Sequence, residues 1–317
     1  MPLTRLVFHR LLTMVPVWFL ISVMSFSLIH LSPGNPAVLL LGGTDVSEEA
    51  VARLSHQLGI DRPLPVQYGI WVQGVARGDW GYSYFQHQPV LKVLAQHAAV
   101  TFGIAITGFA FALAIGVPAG VIAPMVPGSP LDAGLALIAT LGLSIPEFWL
   151  AMLLILVFAV HLNVVPASGF VPFSASPGGW FWHILLPAFT IGFIQSAAIS
   201  RIIRSSVLDT LGQAYIQTAR GKGLGEGTVL VKHALRSALL PVLTVVGIVL
   251  MLLIAGSFVV EIVFAIPGMG LLLLSSTLNH DYPMVQGGIL FVGTVIMLTN
   301  LLVDIAYTLA DPRVRYG

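Results

Sequence analysis

The 317-residue chain contains no cysteine, which excludes disulfides, thiolate metal sites and a cysteine nucleophile. It is also short of charge: 9% of its residues are Asp, Glu, Lys or Arg, against about 25% in an average soluble domain. With 57% hydrophobic residues and a mean hydropathy of +0.95, it cannot cover a water-facing surface and reads as an integral membrane protein. A GxxxxGK[ST] phosphate loop is missing, because Gly221-Lys222-Gly223 lacks both the spacing and the hydroxyl. His30, His161, His183, His233 and His280 are scattered, with no i, i+4 pair to suggest a metal site. No internal repeat or low-complexity tract stands out. The first apolar stretch is too long for a signal-peptide core and has no small-residue cleavage site nearby, so it is expected to be retained.

About 20 apolar residues carry a helix across the hydrocarbon core. Six stretches reach that length: 11–30, 101–125, 133–160, 184–200, 239–260 and 285–309. The third is long and contains Pro146 and Glu147, so a kink or an interfacial end is expected there; two short re-entrant halves are the alternative. Six spans put both termini on one side, and the positive-inside rule chooses which. With the N-terminus inside, ten Lys and Arg are cytoplasmic (Arg5, Arg10, Arg201, Arg204, Arg220, Lys222, Lys232, Arg236, Arg313, Arg315) and four lie outside (Arg53, Arg62, Arg77, Lys92). N-in, C-in follows. The chain divides accordingly into residues 1–31 with the first span, an outside loop region at 32–99, a five-helix core at 100–310 with a cytoplasmic loop at 201–238, and a tail at 311–317.

In the outside loop, Asp45 with Glu48 resembles a capping box opening a short helix through Leu58, stopped by Gly59. Val51, Leu54 and Leu58 give it one apolar face, and beyond Pro63 and Pro65 a second amphipathic stretch carries Tyr68, Trp71 and Val75. Such stripes are usually core, which favours a packed cap over the bundle; a surface receiving substrate is the other reading.

Six of the 14 Lys and Arg fall between Arg201 and Arg236. Small residues at Ala219, Gly221 and Gly223 would let another surface approach the backbone, and Leu224, Val229 and Leu230 offer apolar contact. Composition alone favours contact with anionic lipid headgroups; the small-residue spacing fits a short helix docking in a partner's groove. The segment from Gln217 to Leu224, QTARGKGL, with HALR at 233–236 and Leu239-Leu240-Pro241, resembles the coupling-helix signature of ABC importer permeases. More narrowly, the chain resembles the B-type permease of the dipeptide/oligopeptide/nickel family. The likeness extends to SPGNP at 32–36, LGIDRPLPVQYGIW at 58–71, RGDWGYS at 77–83, LGLSIPEFWL at 141–150, VPASG at 165–169, VEIVFAIPGMG at 260–270, DYPMVQG at 281–287 and NLLVDIAYTLADPRVRY at 300–316. The general signature's Glu-Ala-Ala is Gln217-Thr218-Ala219 here, and its later Pro is Arg236; both departures match the peptide subfamily. Gly225 and Gly227 weaken helix propensity by roughly 1 kcal/mol each.

The resemblance implies an all-α integral membrane protein with six transmembrane helices, the type I ABC importer permease fold and the outside helical loop region after the first span. It implies a subunit in a bacterial inner membrane, importing dipeptides or oligopeptides, with nickel chelates or glutathione as substrates of near relatives. Its partners would be a C-type permease, two ATPases holding ATP and Mg, an external binding protein or lipoprotein, and membrane lipid; no cofactor of its own and no nucleic acid are expected. ATPase coupling would run through a helix near 219–231 that includes Thr218, Ala219, Arg220, Gly221, Lys222, Gly223, Leu224 and Glu226. Ionisable groups at membrane depth are functional candidates. Pro146 and Glu147 are candidates for the pathway or gate, with helix capping by Glu147 as the alternative. Glu261 joins them, although simple solvation at the outer interface is favoured for it. Asp304, about one and a half turns from the inner end, is expected to pair with a cytoplasmic Arg. A stand-alone channel or secondary transporter would predict repeats and more intramembrane charge. An intramembrane enzyme would need a close pair such as Ser144 and His161, which a straight helix separates by about 25 Å. Topology is tested by single-cysteine labelling in this cysteine-free chain: Gly227→Cys reacts only from the inside and Gln86→Cys only from the outside.

Overall fold

The computed structural model describes residues 3–31, 38, 47–230 and 235–310. Apart from an isolated antiparallel bridge between Tyr82 and Pro89, regular structure among these residues is helical. Lipid dictates this, since a backbone without water must satisfy its own polar groups, and a helix does so within one segment. The helices are α1 (Leu3–Leu31), α2 (Glu48–Leu58), α3 (Leu64–Ala76), α4 (Val90–Ile122), α5 (Pro130–Ser144), α6 (Glu147–Leu154), α7 (Pro177–Leu211), α8 (Ala214–Gly221), α9 (Leu235–Val263), α10 (Met269–Leu278) and α11 (Tyr282–Ala310). Five described helices are long and apolar enough to cross a membrane, or six when a bent pair counts as one span. The chain separates into two compact units, one centred on residues 100–270 with 298–310 and one on residues 8–99 with 271–297.

In the second unit, α2 starts at Ser47, whose hydroxyl accepts the Ala50 N–H, and stops at Gly59, which takes φ +69°. The cap is therefore Ser47; Asp45 lies outside the described residues. Along α3, Tyr68 meets Phe19 and Phe26 of α1 edge-on at 6.2 and 5.5 Å, and its hydroxyl bonds Ser22 Oγ at 2.8 Å. The second amphipathic stretch of the outside loop is thus packed on α1, and its aromatic stripe is used for that contact. Trp18 Nε1 donates to Thr294 Oγ1 and Ser25 Oγ to the Gln286 carbonyl, which holds α1 to α11. At the start of α11 the buried Asp281 carboxylate accepts from Ser83 Oγ and from the Tyr84 and Phe85 N–H groups. Burial, and then the Asp281 charge, pushes the Tyr84 phenol above its ordinary pKa.

The first unit is organised around α7, the most buried of the membrane-length helices. Its neighbour α4 presents Gly108, Ala112, Gly116 and Gly120, four residues apart and so on one face. A Cβ at Gly116 would sit 2.7 Å from the Ser196 carbonyl oxygen, and one at Gly120 2.7 Å from Ile203 Cβ. Helices in lipid associate through such close backbone approach, because no hydrophobic force separates protein from hydrocarbon. On another side α5 packs along α7, with Gly142 so close to Ala197 that an added Cβ would be at 3.0 Å.

The third apolar stretch is broken rather than gently kinked. Residues 130–144 and 147–161 form two apolar helical pieces bent by 109° at the break. Ile145, preceding a proline, takes the extended conformation (φ −82°, ψ 125°), and Pro146 is extended as well (ψ 139°). Two consecutive extended residues turn the chain far beyond an ordinary proline kink, which makes the stretch either a broken span or a pair of re-entrant halves. The second half ends as a π-helix over Ile155–His161. The straight-helix separation of Ser144 and His161 therefore does not apply. Their polar atoms are used locally instead: Ser144 Oγ donates to the Thr140 carbonyl and His161 Nδ1 lies 2.8 Å from the Leu156 carbonyl. The fourth stretch runs past Ser200 to Leu211, so Arg201 and Arg204 belong to α7 rather than to a loop. Replacing Gly120 with Leu is expected to destabilise this unit by about 1–3 kcal/mol through overpacking. Gly134→Ala, on α5 with nothing within 4 Å of the new Cβ, should leave thermal unfolding of the detergent-purified protein unchanged or slightly later.

Candidate functional site

The polar segment following α7 folds on itself. After Gly212 caps α7, α8 runs over Ala214–Gly221, and Ile216, Ala219 and Val229 bury together with Leu211 packed against them. Tyr215 and Leu224 are 47% and 39% exposed, and Thr218, Arg220, Gly221, Lys222 and Gly223 face solvent beside them. The turn closes as Gly223 N–H donates to the Arg220 carbonyl at 2.9 Å and Leu224 N–H to the Ala219 carbonyl at 3.4 Å, with Gly223 at φ +80°. Helical structure resumes at Glu226–Thr228 and continues through Leu230.

Three details differ from the sequence reading. Helical structure runs over 214–221, breaks around Gly223 and Gly225, and resumes at 226–230, while residue 231 lies outside the described residues. Ala219 is 8% exposed and part of the loop's own core, so it does not offer backbone to another surface. Gly223 is required by its left-handed backbone, whereas Gly221 is open, with nothing within 4 Å of a Cβ. Tyr215 was missed. Its signal was the i, i+3, i+7 spacing with Thr218 and Lys222, which puts the three on one helix face. His233 and Ala234 lie outside the described residues.

The acidic candidates have separate surroundings. Glu261 is not solvated: it is 0% exposed at the end of α9, with Thr101 Oγ1 donating to Oε1 at 2.6 Å and the Gly270 N–H to Oε2 at 2.7 Å. Thr101 Oγ1 in turn accepts the Met269 N–H at 2.9 Å, and the Glu261 carbonyl takes the Ile266 N–H at 2.8 Å. A Cβ on Gly268 would fall 2.2 Å from the Glu261 carboxyl carbon. A buried carboxylate is tolerable only when hydrogen-bonded, and the glycines of VEIVFAIPGMG let the following turn wrap close enough to supply the donors. Glu147 opens α6 and is half-buried after Pro146, with its carboxylate against Gly256 of α9, where an added Cβ would be 2.9 Å from Oε1. An acid in the first turn also suits the helix dipole. Asp304 is half-buried on α11 and its carbonyl accepts from Thr308 Oγ1.

The ion pair in this unit that sequence reasoning missed joins α5 to α7. Arg204 Nε and Nη2 donate to Asp132 Oδ1 and Oδ2, both at 3.1 Å, in a bidentate fork. Asp132 is 7% exposed; it also accepts the Gly128 N–H, while its own N–H donates to Ser129 Oγ. Ser129-Pro130-Leu131-Asp132 resembles a capping box, which marks the start of α5 but carries no signal for its distant partner.

Residues 116–316 match the family described as the binding-protein-dependent transport system inner membrane component, and residues 3–105 match the N-terminal component of the same kind of system. The chain belongs to this family. A relative in Brucella abortus (strain 2308), described as a putative peptide transport system permease protein, is 42% identical over 314 residues, covering 99% of this chain and all of the relative. The dipeptide transport system permease protein DppB of Escherichia coli (strain K12) is 37% identical over 335 residues, 98% of this chain and 99% of its own. Among solved structures, the MetNI methionine ABC transporter in an inward-facing form is similar in fold, with TM-score 0.55 and 18% identity over 70% of this chain and 97% of that one. An amino acid ABC transporter gives TM-score 0.53 at 12% identity, covering 70% and 94%.

In this transport-system membrane component the first unit also holds an apolar cavity of about 370 Å³ lined by Phe102, Ile106, Leu250, Ile254, Leu302 and neighbours. None of its lining residues is charged, so it offers nothing to a charged solute. Glu261→Ala is expected to strand the Gly270 N–H and the Thr101 hydroxyl in a buried site, costing about 1–3 kcal/mol. The check is thermal unfolding of the purified chain, with Gly268→Ala losing stability as well because its Cβ meets the same carboxylate.

Proposed function

We propose that the chain is the transmembrane permease subunit of an ATP-driven importer for dipeptides or oligopeptides, forming half of the pathway and receiving motion from an ATPase through α8 and the turn after it. The observation that carries this reading is an exposed, self-packed helix, with Arg220 at its end and Lys222 just after it, hanging from the most buried span in a chain belonging to the binding-protein-dependent transport family. The peptide substrate rests on the names of relatives 42% and 37% identical over nearly the whole chain. ATP and Mg would be held by two partner ATPases, and a second, C-type permease would complete the pathway. An external binding protein or lipoprotein would deliver substrate, and membrane lipid would surround the spans. The charge distribution supports cytoplasmic termini in a bacterial inner membrane, with α8 on the cytoplasmic side.

The docking face on this reading is Tyr215, Thr218, Arg220, Gly221, Lys222, Gly223 and Leu224, with Ala219 beneath it and Glu226 at its edge. Pro146 and Glu147 remain the pathway or gate candidates, at the sharp bend; Glu261 is better suited to fixing the turn at 264–270. Gly221→Trp fills open space without the backbone penalty that any side chain at Gly223 would meet. It should lower uptake roughly tenfold or more, the size of a blocked anchor contact, while the chain still reaches the membrane. Wild-type uptake by that variant overturns the coupling assignment. Mass spectrometry of ligand released from the co-purified binding protein tests the substrate: peptide is expected, and a nickel chelate or glutathione without peptide refutes it.

A further inference from the structure

We infer that Asp132 and Arg204 are positioning residues for energy coupling: their ion pair makes the α5–α6 bend move with the end of α7 that carries the coupling loop. The inference rests on the functional reading above and goes beyond it by naming how displacement of the loop reaches the pathway candidates.

The geometry has three parts. First, α7 is continuous over Pro177–Leu211, and α8 begins at Ala214, so the docking helix hangs from α7 by a two-residue link at Gly212 and Gln213. Leu211 also packs on the loop's core, which fastens the loop to the helix end. Second, α5 lies antiparallel along α7 and is held at two levels. Near the bend, Gly142 approaches Ala197. At the other end, Asp132 takes the Arg204 fork. Ten residues of α5 separate these contacts, or about 15 Å at helical rise. Third, the Asp132 carboxylate accepts the Gly128 N–H and the Asp132 backbone N–H donates to Ser129 Oγ, so the turn at 128–132 is tied to the residue that takes the Arg204 fork. A push on the end of α7 is therefore applied to α5 at its base, and α5 carries it to Ile145, Pro146 and Glu147.

A bidentate guanidinium–carboxylate pair suits this task because it resists rotation as well as separation. Apolar packing along α5 and α7 holds the two helices side by side but is non-directional, and the fork adds a directional tie at the base of α5. Arg204 is 37% exposed and Asp132 10% by side chain, so the pair lies at the edge of the packed core, where a charge can be removed without opening a large cavity.

The test uses the complete transporter in proteoliposomes, with ATP hydrolysis and peptide uptake measured together. Arg204→Gln and Asp132→Asn should hydrolyse ATP while uptake per ATP falls about fivefold or more. Arg204→Lys, which keeps the charge but not the fork, should fall between them and wild type. The exchanged double variant Asp132→Arg/Arg204→Asp should recover much of the loss. Wild-type uptake per ATP in both single variants overturns the inference. So does a loss of uptake and hydrolysis in equal proportion, since that is the signature of general damage. The Gly221→Trp variant separates the two levels of the proposal. If it transports normally, the coupling reading itself fails; if it is blocked while the Arg204 and Asp132 variants keep full coupling, only the positioning role is lost.

Discussion

The near contact of the α4 and α7 backbones is the constraint on which the first unit depends. In hydrocarbon, apolar side chains gain nothing by turning from lipid to protein, so helix association needs shape and dispersion at short range. Gly108, Ala112, Gly116 and Gly120 remove the side chains that would hold α7 away, and Ile191, Ile199 and Ile203 fill the resulting groove. Interiors packed this way do not deform gradually. With α7 pinned on one side to α4 and on another to α5, whatever moves its end moves a body rather than a single helix.

Among the described residues, the three buried carboxylates each tie a turn to a helix. Asp132 joins the turn at 128–132 to α7, Glu261 fastens the turn at 264–270 to the end of α9 and to Thr101, and in the other unit Asp281 gathers Ser83, Tyr84 and Phe85 at the start of α11. Each carboxylate accepts from at least two donors, as burial requires. Loops near a membrane have few apolar ways to become rigid, and a buried acid surrounded by N–H and O–H groups is an effective one.

Much of this was legible from residue order alone. Five long helices and a sixth, interrupted span follow from apolar length, α2 ends at the glycine that signals it, and Pro146 marks the interruption. What the sequence left open was three-dimensional. A proline announces a break but not its angle, because that depends on whether Ile145 also leaves the helical region, and it does. Glu261 looked solvated because its distance from the span's centre can be counted, while the fold-back of Gly268 and Gly270 over it cannot. The Asp132–Arg204 pair spans 72 residues, and nothing local links them. Ala219 illustrates the remaining difficulty: a small residue reads equally well as room for a partner and as the tight core of its own loop.

That small core at 211–229 has a consequence for assembly. A loop that had to fold upon meeting its ATPase would lose backbone and side-chain freedom at that moment, and the loss would be subtracted from affinity. Here Ile216 and Val229 are already sealed and Gly223 already turned, so most of the ordering is done before encounter. In the proposed coupling role, such a pre-ordered peg would transmit force in both directions without first being compressed, and would be released and re-engaged in each cycle with little entropic penalty.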